Sequence, residues 1–176
     1  MSKSLTLAGA MLAFAITSAS AHVTLEQSEA PVGSTYKATF RLPHGCSGKT
    51  TTAVRVQIPE GFIAVKPMPK PGWMLEKTHG KYEKAYDYYH GAKLTEGVKE
   101  VSWSGGNLPD DEYDEFVLRG MLTDGLPVGE TFYFPLVQEC VDGAVTRWIE
   151  TPAKGEAEPD HPAPGLKLLE KAHSHH

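Results

Sequence analysis

The chain has 176 residues, of which 17 are basic and 22 acidic, so its formal net charge is −5 with histidine neutral. This length fits one ordinary domain and is sufficient to bury a hydrophobic core. The acidic balance argues against a nucleic-acid-binding protein, because phosphates require a basic surface.

The first predicted element is a cleavable secretory signal. Residues 1–3 form a short basic start, residues 5–16 an apolar run, and residues 19–21 (Ala-Ser-Ala) a small-residue cleavage site. The alternative, a membrane anchor, requires about 20 apolar residues, and this run is shorter. Removal of residues 1–21 leaves 155 residues that begin at His22, with a predicted location in the periplasm or outside the cell. No later segment is long and apolar enough to predict a membrane span.

Period-two alternation dominates the remaining chain and predicts strands. Over 35–42 it places Tyr36, Ala38, Phe40 and Leu42 on one face. Further strands are predicted at 54–58, 62–66, 73–78, 98–103, 114–122, 131–139 and 144–150. This pattern predicts an all-β fold, an immunoglobulin-like antiparallel β-sandwich.

Two segments lack the sequence pattern of strands that form a hydrophobic core. Residues 79–97 carry four tyrosines among charges, which predicts either a long hairpin excursion or a surface loop. Residues 154–176 contain several prolines and histidines, and we expect a flexible C-terminal extension there. The predicted domain therefore covers 22–153.

Two cysteines, Cys46 and Cys140, occur in a chain destined for an oxidising compartment, which favours a single disulfide bond. Closing a loop of about 90 residues would contribute roughly 4 to 5 kcal/mol in the chain-entropy treatment. The alternative is a cysteine metal site, but two isolated cysteines lack the clustered spacing of structural zinc sites.

Signal cleavage would give His22 a free α-amine. This amine and the imidazole Nδ1 can hold one metal ion in a chelate ring after the amine, whose reference pKa is about 8, loses its proton. Cu(II) competes most strongly for such nitrogen ligands, whereas zinc prefers a tetrahedral set. Because any residue can follow a cleavage site by chance, this feature alone is weak support for copper.

Short motifs follow one another in order along most of the predicted mature chain. They are AHVT at 21–24, LPHGC at 42–46, TAVRVQIPEG at 52–61, KPGW at 70–73, WSGG at 103–106, DEF at 114–116, YFP at 133–135, QEC at 138–140 and RWIE at 147–150. In these motifs the sequence resembles the YcnI family of secreted copper-binding β-sandwich proteins.

The resemblance implies a mononuclear Cu(II) site that contains the N-terminal histidine, a carboxylate and a nearby tryptophan. His22 matches directly, and Trp148 is the candidate for the tryptophan. The carboxylate does not match, because Arg147 stands where family members have a glutamate before the tryptophan. Strand geometry leaves Glu139 and Glu150 as nearly equal candidates. Glu26 is a third candidate if the opening strand is regular.

Each aromatic and histidine candidate also has a purely structural interpretation. Trp148 and Trp103 could be core aromatics, and Trp73 is expected to pack. His44 and His90 have no partner at ligand spacing in the sequence, so neither is predicted to bind metal.

The last residues carry a separate histidine group, His173, His175 and His176. Clustered imidazoles on a flexible segment chelate copper or nickel with little strain, which allows a secondary metal-capture role. A neutral tail or a remnant of cloning explains the same residues.

The first function hypothesis is a periplasmic Cu(II)-binding protein without catalysis, acting in copper trafficking or homeostasis. Its partners would be a periplasmic copper chaperone or a membrane copper transporter. An oxidative mono-copper enzyme is disfavoured, because a second histidine is absent from the predicted strands at 114–122, 131–139 and 144–150. The remaining alternative is a structural envelope domain that binds another protein and no metal.

Overall fold

Strands make up nearly all the regular structure of this protein. The structure, a computed structural model, describes residues 22–152, 155, 157 and 159–172, so the predicted signal at 1–21 and the terminal histidines lie outside the described residues. The strands are β1 (Thr24–Leu25), β2 (Glu29–Pro31), β3 (Thr35–Leu42), β4 (Thr51–Gln57), β5 (Phe62–Pro67), β6 (Met74–Asp87), β7 (Lys93–Leu108), β8 (Asp114–Leu122), β9 (Thr131–Tyr133), β10 (Leu136–Cys140), β11 (Val145–Trp148) and β12 (Gly165–Leu169). Single 3-10 turns occupy Tyr89–Gly91 and Val141–Gly143.

The strands form three sheets. Their orders are β1-β3-β8-β5, β11-β10-β4-β7-β6 and β2-β12-β9. The pairs are antiparallel except for β2 with β12, which run parallel. The two larger sheets enclose one core, where for example the Trp103 ring from β7 packs edge-on against Phe116 from β8 at 5.5 Å. The predicted all-β sandwich is therefore confirmed.

β3 shows why the alternating pattern works. Tyr36, Ala38, Phe40 and Leu42 are at most 2% exposed, as predicted for one buried face. Along its length β3 pairs residue by residue with β8, from Thr35 opposite Met121 to Leu42 opposite Asp114. A shift of one residue would turn this apolar face outward, so the pattern determines the register.

The prediction of one strand over 131–139 is wrong. The segment divides into β9 and β10, which belong to different sheets. Pro135 lies at the break, and a proline has no N–H to donate to a sheet ladder. The chain therefore leaves the three-stranded sheet and enters the five-stranded sheet at this point.

Residues 79–97 form part of a long hairpin made by β6 and β7, one of the two predicted alternatives. One face of the hairpin is buried: Tyr82 and Tyr86 pack beside Ile63 in a second, smaller apolar cluster. The hairpin thus covers part of the four-stranded sheet.

Glu60 ties this hairpin to the body of the domain. Its carboxylate accepts hydrogen bonds from the Tyr86 hydroxyl at 2.8 Å and from Lys99 Nζ at 2.7 Å. Burial alone would raise the pKa of the Glu60 carboxyl, but these hydrogen bonds, the Glu83 amide and the charge of Lys99 hold that pKa below its usual value.

The prediction of a flexible extension over 154–176 is wrong for residues 165–169. They form β12, which pairs with β2 and β9 and buries Leu166 and Leu168 to 0% and 1% exposure. The segment alternates Leu166, Lys167 and Leu168, a short strand pattern hidden by the surrounding prolines. The domain therefore extends to at least Leu169, beyond the expected boundary at 153.

The predicted disulfide between Cys46 and Cys140 is present, with a Cα–Cα distance of 6.0 Å. It joins the segment after β3 to the end of β10, 94 residues apart in sequence. The bond therefore holds the 43–50 connection against the five-stranded sheet.

Candidate metal centre

His22 lies at the beginning of the described chain, directly before β1. Its ring contacts the indole of Trp148 edge-on, with ring centres 5.9 Å apart and an interplanar angle of 64°. Trp148 ends β11 and is 3% exposed. The structure therefore brings together the histidine and the tryptophan that the sequence assigned to the metal site.

A buried amide holds the Trp148 indole in place. The indole N–H donates to Gln138 Oε1 at 3.1 Å, while Gln138 Nε2 donates to the His44 carbonyl and to Thr51 Oγ1, both at 2.7 Å. Gln138 is fully buried in β10. Because a buried amide needs such partners, this network gives the indole one orientation.

Trp148 is surrounded by three histidine rings. Besides His22, His161 lies 5.3 Å from the indole and His44 lies 6.5 Å from it, each in an edge-on arrangement. The sequence interpretation missed His161 and set His44 aside, because neither lies at ligand spacing from another histidine. Only the folded chain gathers these rings at one indole.

Glu150 holds the His161 segment beside Trp148. Its carboxylate Oε2 accepts the His161 backbone N–H at 2.8 Å, and its own backbone N–H donates to the His161 carbonyl at 3.2 Å. The backbone carbonyl of Glu150 also accepts the Ala163 N–H at 2.8 Å. Glu150 therefore lies next to the histidine group, and its role as a metal ligand stays a prediction.

The structure places Glu139, one of the two preferred carboxylate candidates, away from this centre. Along β10, Gln138 points inward to Trp148, so its neighbour Glu139 points to the opposite face of the sheet. There Glu139 forms an ion pair with Arg55 and lines a polar cleft with Glu76 and other side chains of the sheet's outer face. Strand alternation separates this carboxylate from His22.

Glu26 is also engaged elsewhere. Its carboxylate lies 3.3 Å from Arg41 and 3.9 Å from Lys37, both on β3. These are exposed ion pairs of small energetic value. The structure thus places Glu26 with the β3 cations and shows no contact of its carboxylate with Trp148.

The other two tryptophans pack in or against the hydrophobic core. This was the expectation for Trp73 and the structural interpretation of Trp103. Trp103 is fully buried, and its N–H donates to the Met68 carbonyl at 3.0 Å. Trp73 packs edge-on against Phe116 at 4.9 Å.

The candidate centre opens onto a cleft. A cavity of about 280 Å³ beside His22 is lined by Val23, Tyr133, Pro152, Pro162 and neighbouring residues. Within residues 22–152, 155, 157 and 159–172, no group of three or more His, Cys, Asp or Glu side chains is arranged to hold a metal ion.

Residues 22–168 match the family described as a domain of unknown function, DUF1775. The chain belongs to this family. The DUF1775 match begins at His22 and ends inside β12, so it includes the whole candidate centre and most of the strand that the sequence interpretation had left outside the domain.

A solved structure supports the fold of this DUF1775 domain. It is a protein from Nocardia farcinica with an immunoglobulin-like fold, 30% identical, with a TM-score of 0.62; the match covers 84% of this chain and 98% of that one. The immunoglobulin-like class is thereby confirmed. A DUF4466 family protein from Parabacteroides merdae ATCC 43184 is 11% identical with a TM-score of 0.28, which supports no conclusion. No curated protein matches the chain.

Among the described residues of this DUF1775 domain, no helix is long and apolar enough to cross a membrane.

Proposed function

We propose that the mature protein begins at His22 and binds one Cu(II) ion in the cell envelope through its α-amine and imidazole. Copper is its cargo, received and passed on in copper trafficking or homeostasis without catalysis. The observation that supports this proposal is the position of His22, edge-on against the buried Trp148 indole and beside an open cleft.

The chemistry of these groups favours copper. An α-amine and an imidazole on one residue form a chelate, and Cu(II) exceeds other first-row divalent ions in affinity for nitrogen ligands. Binding must release the amine proton, so affinity should increase with pH as the amine, with a reference pKa of about 8, deprotonates. The resemblance to the YcnI family points to the same histidine and tryptophan.

Trp148 supplies a rigid apolar wall to such a site. A buried aromatic ring excludes water from one side of the ion while the cleft leaves the other side open. An open site suits a protein that passes its ion to a periplasmic chaperone or a membrane transporter, because the partner's ligands must reach the ion. Glu150 is the remaining carboxylate candidate beside this centre.

The decisive experiment is a Cu(II) titration followed by electron paramagnetic resonance on protein comprising residues 22–172. This range keeps β12 and removes the terminal histidines. We expect 1:1 binding with a mononuclear Cu(II) spectrum. A matched protein whose His22 α-amine is acetylated should lose at least about 100-fold in affinity, or about 3 kcal/mol, because its blocked nitrogen can no longer chelate the ion together with the imidazole.

Equal affinity of the two proteins would remove the amine chelate from the site. Absence of binding by both would favour the alternative of a structural, partner-binding envelope domain. His90→Gln, which changes a turn residue of the β6–β7 hairpin, provides the control that should leave the titration unchanged.

A further inference from the structure

His161 takes no part in the proposed chelate, yet its ring lies closer to Trp148 than that of either other histidine. We propose that the His161 imidazole binds the same Cu(II) ion as His22, so that the ion has three nitrogen ligands from two residues. This inference rests on the proposed function and adds a ligand to its site.

The position of His161 is built by the fold. Glu150 fixes its backbone on both sides, by the carboxylate bond to the His161 N–H and by the bond from the Glu150 N–H to the His161 carbonyl. The next three residues, Pro162, Ala163 and Pro164, are buried and lead directly into β12. The segment that carries this histidine is therefore anchored before and after it.

The His161 side chain combines this anchored backbone with exposure to solvent. Its ring lies against an indole whose other contacts include the ring of His22. An exposed imidazole at this point can meet an incoming ion first and remain reachable by an acceptor. That is the property expected of a ligand in a site that exchanges its metal.

His161 fits this role better than His44 does. The His44 ring lies farther from the indole, 6.5 Å against 5.3 Å, and its Nδ1 already lies 2.5 Å from the Gly45 carbonyl. The His44 ring therefore has less freedom to turn toward an ion at His22.

The ligand chemistry agrees with copper. Cu(II) favours a tetragonal arrangement of nitrogen and oxygen donors. One amine and two imidazoles supply three nitrogens, and water or the Glu150 carboxylate can complete the plane. Such a set needs only two histidine side chains, which is consistent with the lack of a three-side-chain centre among the described residues.

The test compares residues 22–172 with the same protein carrying His161→Gln, each loaded with one equivalent of Cu(II). Pulsed electron paramagnetic resonance counts the imidazoles bound to the ion. We expect two in the parent and one in the variant. The affinity for Cu(II) should fall by at least about 10-fold. Loss of a group that only supports a metal ligand already costs about that much, and His161 is proposed as a ligand itself.

The matched controls are His44→Gln, beside the same indole, and His90→Gln, on the distant hairpin. Both should retain two imidazoles. One imidazole in the parent, or loss of the second imidazole in His44→Gln instead of His161→Gln, would overturn the assignment to His161 while leaving the amine chelate intact. Failure of the parent to bind copper overturns both proposals. Because His161 is exposed, urea unfolding of His161→Gln should match that of the parent.

Discussion

Gln138 is the residue on which the geometry of the candidate centre depends. A single buried amide contacts the Trp148 indole, the His44 carbonyl and the Thr51 hydroxyl. It therefore links β11, the 43–50 connection and β4 at one point. A buried polar group without a hydrogen-bond partner destabilises the fold. Loss of the Gln138 side chain would therefore leave the indole N–H, the carbonyl and the hydroxyl without this partner.

Replacing Gln138 by leucine should lower the free energy of unfolding by about 2 to 4 kcal/mol, because the indole N–H, the carbonyl and the hydroxyl lose a buried partner. Urea unfolding followed by tryptophan fluorescence measures this change. Gln57→Leu, at the exposed end of β4, makes the same replacement in solvent and should change stability by less than about 0.5 kcal/mol. Similar losses in both variants would contradict the importance of the Gln138 network.

β12 is a strand that was not predicted from the sequence. Its five residues carry two leucines that complete the core, and it lies between β2 and β9 in the smallest sheet. The strand also begins four residues after His161, whose ring contacts Trp148. An element outside the expected domain thus contributes to both the core and the candidate centre.

Leu166→Ala should destabilise the protein by about 2 to 4 kcal/mol, because it leaves a cavity at a fully buried position. Lys167→Ala, one residue later on the exposed face of the same strand, should stay within about 0.5 kcal/mol of the parent. Chemical denaturation of both variants provides the comparison. Equal and small effects would mean that β12 is not part of the core in solution.

At the scale of the whole molecule, the disulfide bond joins parts of the chain that are far apart in sequence. Cys46 follows β3 of the four-stranded sheet, and Cys140 ends β10 of the five-stranded sheet. The bond thus fastens the 43–50 connection, including His44, to the strand that carries Gln138. A cross-link over 94 residues restricts the unfolded chain strongly.

Reduction of the disulfide should lower the free energy of unfolding by roughly 4 to 5 kcal/mol. Urea unfolding with and without dithiothreitol measures this effect. A variant with both Cys46→Ala and Cys140→Ala should unfold near the reduced parent and should not respond to dithiothreitol. If the reduced and oxidised parents unfold at the same urea concentration, the bond contributes no net stability.

Much of the fold was predictable because strand patterns are local. The β8 bounds match the predicted 114–122, and the buried face of β3 follows directly from alternation of its residues. Because the chain has only two cysteines, it can form only one intramolecular disulfide bond. Prediction failed at Pro135, where one apparent strand changes sheets, and in the proline-rich tail, where a strand of five residues is too short to stand out.

The sequence by itself determined the β-sandwich, the disulfide and the candidate roles of His22 and Trp148, since these depend on residue type, periodicity and motif order. Only the tertiary structure decided which polar groups meet Trp148. It placed Glu139 on the outer face and Gln138 on the inner one, and it brought His161 and His44 to the indole from segments without periodic pattern. Such contacts depend on strand facing and on the paths of irregular segments, which are set by long-range packing that no local pattern encodes.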